Sequence, residues 1–148
     1  MCTWLDSGEI AGMPLISAVT SGDLVHQGLR DAQNPPPSRG PLGSHPFFAH
    51  LRGPYCYVFG NGDDDVSYCG TAGLIPSSIE NADFILARGL FCTVSEKDKV
   101  VSLNYDNDVA SIDAALVQSY ARDLPMVVAN PDLVRPDGLD SPMPGQLG

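Results

Sequence analysis

The chain has 148 residues, 43% hydrophobic and 18% charged, enough apolar material for one domain of moderate size and too much for a wholly disordered polypeptide. Eight Lys and Arg against 18 Asp and Glu leave a net charge of −10, a field that repels phosphate backbones and anionic headgroups and so argues against nucleic-acid and membrane partners. Apolar runs stay far below the ~18 residues that cross a bilayer, and no basic segment leads into an apolar one at the start, so a soluble cytoplasmic protein is expected.

Residues 1–14 carry little pattern and are expected to be irregular. Residues 15–20 read as a strand and 22–32 as a short helix with apolar Leu24, Val25 and Leu29, so that 15–32 form a strand-helix unit. Residues 34–46 hold five prolines and no apolar period. They predict a loop with no regular structure and little burial over 34–46, within a Pro-rich insert spanning 33–52. Residues 55–59 (Tyr-Cys-Tyr-Val-Phe) form an aromatic and β-branched strand stopped by the turn Gly60-Asn61-Gly62. A loop over 75–82 leads to a second strand at 83–87. The strongest helix signal covers 108–122, where Val109, Ile112, Leu116 and Tyr120 fall on one stripe. Asp106, Asn107 and Asp108 cap its start, and Arg122 suits its end. Residues 125–129 (Pro-Met-Val-Val-Ala) make a third apolar strand, ended by Asn130-Pro131-Asp132, and the breaker-rich tail at 135–148 is expected to be irregular. Apolar rather than alternating strands, interleaved with helices, predict a three-layer-like α/β fold with a mainly parallel sheet.

Cys2, Cys56, Cys69 and Cys92 form no C-x-x-C pair, and His26, His45 and His50 lack metal-site spacing, so buried, idle thiols in a reducing compartment are expected. Gly60-x-Gly62 after a strand resembles the opening of a dinucleotide fingerprint, but the third glycine is absent and Asp63-Asp64-Asp65 stands where phosphate needs positive potential. Those aspartates lack the ligand spacing of a calcium loop and read as a solvated acidic turn. Ser21 sits at a strand-to-helix turn without the G-x-S-x-G elbow or an evident histidine base. Asn130-Pro131-Asp132 places polar groups just beyond the carboxyl end of a buried strand, where open α/β sheets hold ligands; a capped Asx turn accounts for it equally well.

Four segments in order, Val19-Thr20-Ser21-Gly22-Asp23, Tyr55-Cys56-Tyr57-Val58-Phe59-Gly60-Asn61-Gly62, Asn81-Ala82-Asp83-Phe84-Ile85-Leu86-Ala87-Arg88-Gly89-Leu90 and Leu124-Pro125-Met126-Val127-Val128-Ala129-Asn130-Pro131-Asp132, resemble the class IIA haloacid dehalogenase-like hydrolases. Those are Mg²⁺-dependent phosphatases of sugar phosphates, nucleotides and similar small esters. The resemblance implies that residues 53–134 are the α/β cap inserted into a Rossmann-like core, that Thr20, Ser21 and Gly22 belong to the core–cap linker, and that the tail leads back toward the core. It makes Asn130 and Asp132 candidate substrate-side residues and a small phosphorylated metabolite the partner. The nucleophile motif D-x-D-G has no match, since Asp6-Ser7-Gly8-Glu9 lacks the second aspartate, and no G-K-P lysine follows. Catalytic residues and Mg²⁺ ligands are therefore expected outside this chain, leaving a fragment that is inactive alone. The alternative is a non-catalytic, acidic α/β binding or regulatory module.

Overall fold

A computed structural model describes residues 9–10, 13–14, 20–34, 40–51 and 53–130. The expected strand at 15–20, apart from Thr20, lies outside them, as do Asp132 and the tail. In the N-terminal segment expected to be irregular, β1 (Glu9–Ile10) pairs antiparallel with β2 (Met13–Pro14).

Helix α1 (Ser21–Gln33) extends the expected 22–32 by one residue at each end, and it starts at Ser21 because Thr20 and Asp23 close a reciprocal capping box. The Asp23 amide donates to Thr20 Oγ1 at 3.2 Å, and the Thr20 amide donates to the Asp23 carboxylate at 2.9 Å. The proline-rich insert is more ordered than expected. Pro41–Ser44 winds a 3₁₀ turn, and Pro46–Ala49 a single helical turn, α2. Each begins on a proline whose fixed φ suits a first helical position and whose missing N–H would have lacked a partner there. Leu42 and Phe48 pack onto the core, and Phe48 lies so close to Gly28 of α1 that a Cβ there would stand 2.2 Å from its Cζ. Close packing onto α1 is what anchors this stretch despite its composition.

The remaining elements are β3 (Tyr55–Gly60), α3 (Asp65–Thr71), β4 (Ile75–Pro76), β5 (Phe84–Ala87), β6 (Cys92–Ser95), β7 (Lys99–Ser102), α4 (Tyr105–Ala121) and β8 (Met126–Val128). The sheet runs β7-β6-β3-β5-β8. Strands β3, β5 and β8 are parallel, whereas β6 and β7 form an antiparallel hairpin on one side. Cys56 aligns with both Pro76 and Phe84, so β4 continues the β6 side of β3. The architecture is α/β with a parallel centre and a mixed margin. The hairpin escaped the sequence reading because Thr93, Ser95, Lys99 and Ser102 break its apolar signal, and α3 because its seven residues include Gly70 and a β-branched end.

Alternate side chains of the central strands enter two cores. Cys56, Val58, Phe84, Leu86, Val94 and Val127 meet α1, α2 and α3, while Phe59, Ile85 and Ala87 meet α4. Burial on both faces is why these strands read as continuous apolar runs. Helix α4 begins earlier than its sequence stripe, with the Asp108 carboxylate accepting from the Asn104 amide at 2.7 Å. Its buried positions are Ile112, Ala115 and Ser119. Val109 and Tyr120, expected on that stripe, are exposed, Tyr120 to 90%. At 3.6 residues per turn the contact centred between Ile112 and Ser119 leaves Val109 and Tyr120 about 70–90° to one side. Ser119 is accommodated because its hydroxyl donates to the Ala115 carbonyl at 2.6 Å.

Candidate functional site

Open α/β sheets assemble ligand sites beyond the carboxyl ends of their parallel strands, and polar groups converge there in this chain. The turn after β3 carries Asn61, Asp64 and Asp65, and the turn after β5 carries Arg88. Asp65 opens α3 but is buried, and its carboxylate accepts from the amides of Asn61 at 3.1 Å and Gly62 at 2.9 Å. Arg88 bridges both aspartates, with Nη1 2.7 Å from Asp65 and Nη2 2.8 Å from Asp64. Its guanidinium lies over the Tyr68 ring, 3.9 Å from the centroid. The Cys92 thiol donates to Asp65 Oδ2 at 3.4 Å.

These contacts depend on glycine. A Cβ on Gly60 would stand 2.4 Å from Asp65 Oδ2, and one on Gly89 2.6 Å from the Gly60 carbonyl oxygen, so the two turns meet backbone to backbone. Gly62 has φ +97°, the left-handed region that favours glycine. The acidic turn is therefore not simply solvated: Asp65 occupies, from within the chain, the amide cradle that Gly60-x-Gly62 would offer a phosphate. That arrangement disfavours dinucleotide binding at this turn.

Tyr68 ties the cluster to the start of α1. Its hydroxyl donates to the Gly22 carbonyl at 2.7 Å, and its ring meets His26 edge to face at 4.8 Å. His26 Nε2 is engaged with Thr71 Oγ1 at 2.8 Å, so that nitrogen is not poised as a base for Ser21. Thr20, Ser21 and Gly22 thus sit beside the Arg88 cluster. The Ala129 amide donates to the Ala87 carbonyl at 2.9 Å, which brings half-buried Asn130 to the same end of the sheet. Asp132 lies outside the described residues.

The hydrogen bond from Arg88 holds the Asp64 carboxyl below its usual range. Burial, reinforced by the neighbouring charge of Asp65, pushes the Cys92 thiol up to about 11. Burial also pushes Tyr68 up to about 12, against the pull of Arg88. Both groups are protonated near neutrality, so neither serves as an activated nucleophile. Cys56, Cys69 and Cys92 are buried and free, and among the described residues no group of three or more His, Cys, Asp or Glu is placed to hold a metal ion. Arg88 is neutralised by two carboxylates, which makes the cluster a strut fixing the strand-end turns rather than an open anion site.

Sequence reasoning singled out neither Arg88 nor Tyr68 as a site residue. The available signal was an arginine directly after an apolar strand, facing an acidic turn after another. A cavity of about 650 Å³ lined by His50, Asp83 and Arg122 sits at the opposite end, where the strands begin. Arg122 is committed there to the Ile79 and Ala82 carbonyls. Among the described residues, no helix is long and apolar enough to cross a membrane. No protein-family model, curated protein or solved structure matches this chain.

Proposed function

We propose that this chain carries the cap of a class IIA haloacid dehalogenase-like phosphatase, acting on small phosphate monoesters such as sugar phosphates or nucleotides. One juxtaposition supports the reading. Three of the resembling segments, separated in sequence, become β3, β5 and β8, neighbouring parallel strands in which Leu86 aligns with Val58 on one side and Val127 on the other. The fourth contributes the capping box of α1, tied to the same end of the sheet through Gly22 and Tyr68.

In this reading the cap closes over a catalytic core, excludes water and recognises the leaving group. Asn130, at the mouth of the parallel strands, and Asp132 beyond it contact the alcohol portion of the substrate, and Thr20–Gly22 set the pivot. Mg²⁺ neutralises charge on the phosphoryl group in such enzymes. The carboxylates of the acidic turn do not fit that ion: Asp65 is taken up by two amides and Arg88, and Asp64 shares the same guanidinium. The nucleophile and the metal ligands belong to the core.

The test is a hydrolysis assay on aryl phosphate, a panel of sugar phosphates and nucleotides, with and without Mg²⁺. Residues 1–148 alone are expected to show no turnover, and the same residues joined to a complete haloacid dehalogenase-like core are expected to show it. In the joined enzyme Asn130→Ala and Asp132→Ala should raise KM more than they lower kcat. Turnover by residues 1–148 alone, abolished by replacing one of their own aspartates, would contradict the assignment. A second reading, a non-catalytic acidic binding or regulatory module, draws on the outward face of α4, where Val117 and Tyr120 are exposed. A folded but inactive joined enzyme favours it.

A further inference from the structure

We propose that Asn61-Gly62, in the turn between β3 and α3, is a self-modification site that the Arg88–Asp65 pair keeps shut: while the pair holds, Asn61 persists, and when it opens Asn61 converts to aspartate and isoaspartate. Asparagine is a chemically labile residue. Its side-chain amide lies within reach of the next backbone nitrogen, and the following residue sets how freely the two meet. The six asparagines of the chain precede Pro, Gly, Ala, Tyr, Asp and Pro, so Asn61 alone is followed by a residue without a side chain. Asn61 is half-buried and Gly62 exposed, so water reaches the pair.

The conversion needs no partner but water. The Gly62 nitrogen attacks Cγ of Asn61; the new N–Cγ bond forms, the Cγ–Nδ2 bond breaks, and ammonia leaves with the Gly62 amide proton. Water then opens the cyclic imide on either side, giving aspartate or isoaspartate. The fold engages both reacting groups. The Gly62 N–H donates to Asp65 Oδ2 at 2.9 Å and the Asn61 N–H to Asp65 Oδ1 at 3.1 Å, so one carboxylate holds both amides of the pair. The Asp63 amide donates to Asn61 Oδ1 at 3.1 Å, where negative charge develops during the attack. The electrophile is thus polarised, and only the nucleophile is held back.

The lock depends on Arg88. Its Nη1 stands 2.7 Å from Asp65 Oδ1 and compensates a carboxylate whose side chain is only 4% exposed. Without that charge the stranded carboxylate turns toward water and releases the two amides. Breaking a hydrogen bond to a charged acceptor before each attack slows the step about tenfold or more. Either product adds a carboxylate to a turn that already holds Asp63, Asp64 and Asp65, and isoaspartate also lengthens the main chain by a methylene. Asp65 then no longer fits both amides, so the opening is one-way.

Peptide mapping by mass spectrometry, following the amide-to-acid mass gain at Asn61 over weeks at neutral pH, tests this on the full chain. The folded wild type should convert at least about tenfold more slowly than the same chain unfolded in guanidinium. Arg88→Met, while folded, should convert at least about tenfold faster than the wild type. Ile112→Ala weakens the fold without touching the turn and should stay at the wild-type rate, which separates the local lock from overall stability. Should Arg88→Met fail to fold, Arg88→Lys, which keeps the charge and loses the fork, should give an intermediate rate. A folded wild type that converts as fast as the unfolded chain, or folded Arg88 variants no faster than Ile112→Ala, would overturn the proposal.

Discussion

Arg88 and Asp65 form a 2.7 Å ion pair between side chains only 10% and 4% exposed, joining the turn after β5 to the start of α3. The second arm of the same guanidinium reaches Asp64, whose side chain is 62% exposed. Burial decides how the two arms differ. Removing one partner of a buried pair strands a charge, whereas an exposed pair is screened by water. Arg88→Met should therefore destabilise the fold by about 3–5 kcal/mol and Asp64→Ala by at most about 1 kcal/mol, read from urea unfolding. Arg88→Lys should fall between, because an ammonium keeps the charge and loses the fork that spans two carboxylates. Equal costs for Arg88→Met and Asp64→Ala would refute the difference.

Alkaline pH should unfold the protein through the same cluster. The folded state raises Cys92 from 9.0 to about 11 and Tyr68 from 10.0 to about 12. A raised value means the native state holds protons that the unfolded chain releases. Their stabilisation is complete below about pH 9 and is lost as pH rises through 11 and 12. Thermal midpoints measured across that range should fall, and Tyr68→Phe should remove the upper part of the fall. At the acid end the sign reverses: Asp64 has a depressed value, so its contribution is present above the ordinary carboxylate range and disappears as pH drops through the folded one.

The two glycines Gly60 and Gly70 should respond in opposite directions to alanine. At Gly60 the new Cβ meets Asp65 Oδ2 at 2.4 Å and Cys92 Sγ at 2.6 Å, so the polar cluster has to move, at about 1–3 kcal/mol. Gly70, in α3, has nothing within 4 Å of that position. There the methyl only restricts the unfolded chain and favours helix, a gain of about 0.5–1 kcal/mol. Calorimetry on both variants checks the pair of signs.

Ile112 and Gln118 mark the two environments of α4. Ile112 is buried against the sheet, and Ile112→Ala should cost about 2–5 kcal/mol through lost transfer energy and a residual cavity. Gln118 donates to Glu80 at 2.8 Å on the surface, and Gln118→Ala should be close to neutral. Comparable losses in guanidinium unfolding would mean that the helix is rotated.

Much of the architecture was legible in the chain because it rests on local chemistry. The short helix after Thr20 follows from apolar residues three to four apart, although the Thr20–Asp23 box that starts it went unread, and the apolar runs that became β3, β5 and β8 announce burial on both faces without reference to a partner. The α4 stripe was legible in period but not in phase: Val109 and Tyr120 continue the helical spacing of Ile112 and Leu116, and only the position of the sheet settles which flank is covered. Strands β6 and β7 exist because β3 offers them an edge, a long-range condition that their mixed sequences do not carry. The site divides in the same way. The polar turn at Asn130 follows from its place after an apolar strand, whereas Arg88 meets Asp65 from 23 residues away and Tyr68 meets Gly22 from 46. An acidic run reads as solvated until tertiary packing buries one of its carboxylates and sets a guanidinium against it. Desolvation, which only the folded chain can impose, is what turned Asp65 from a surface charge into the anchor of the cluster.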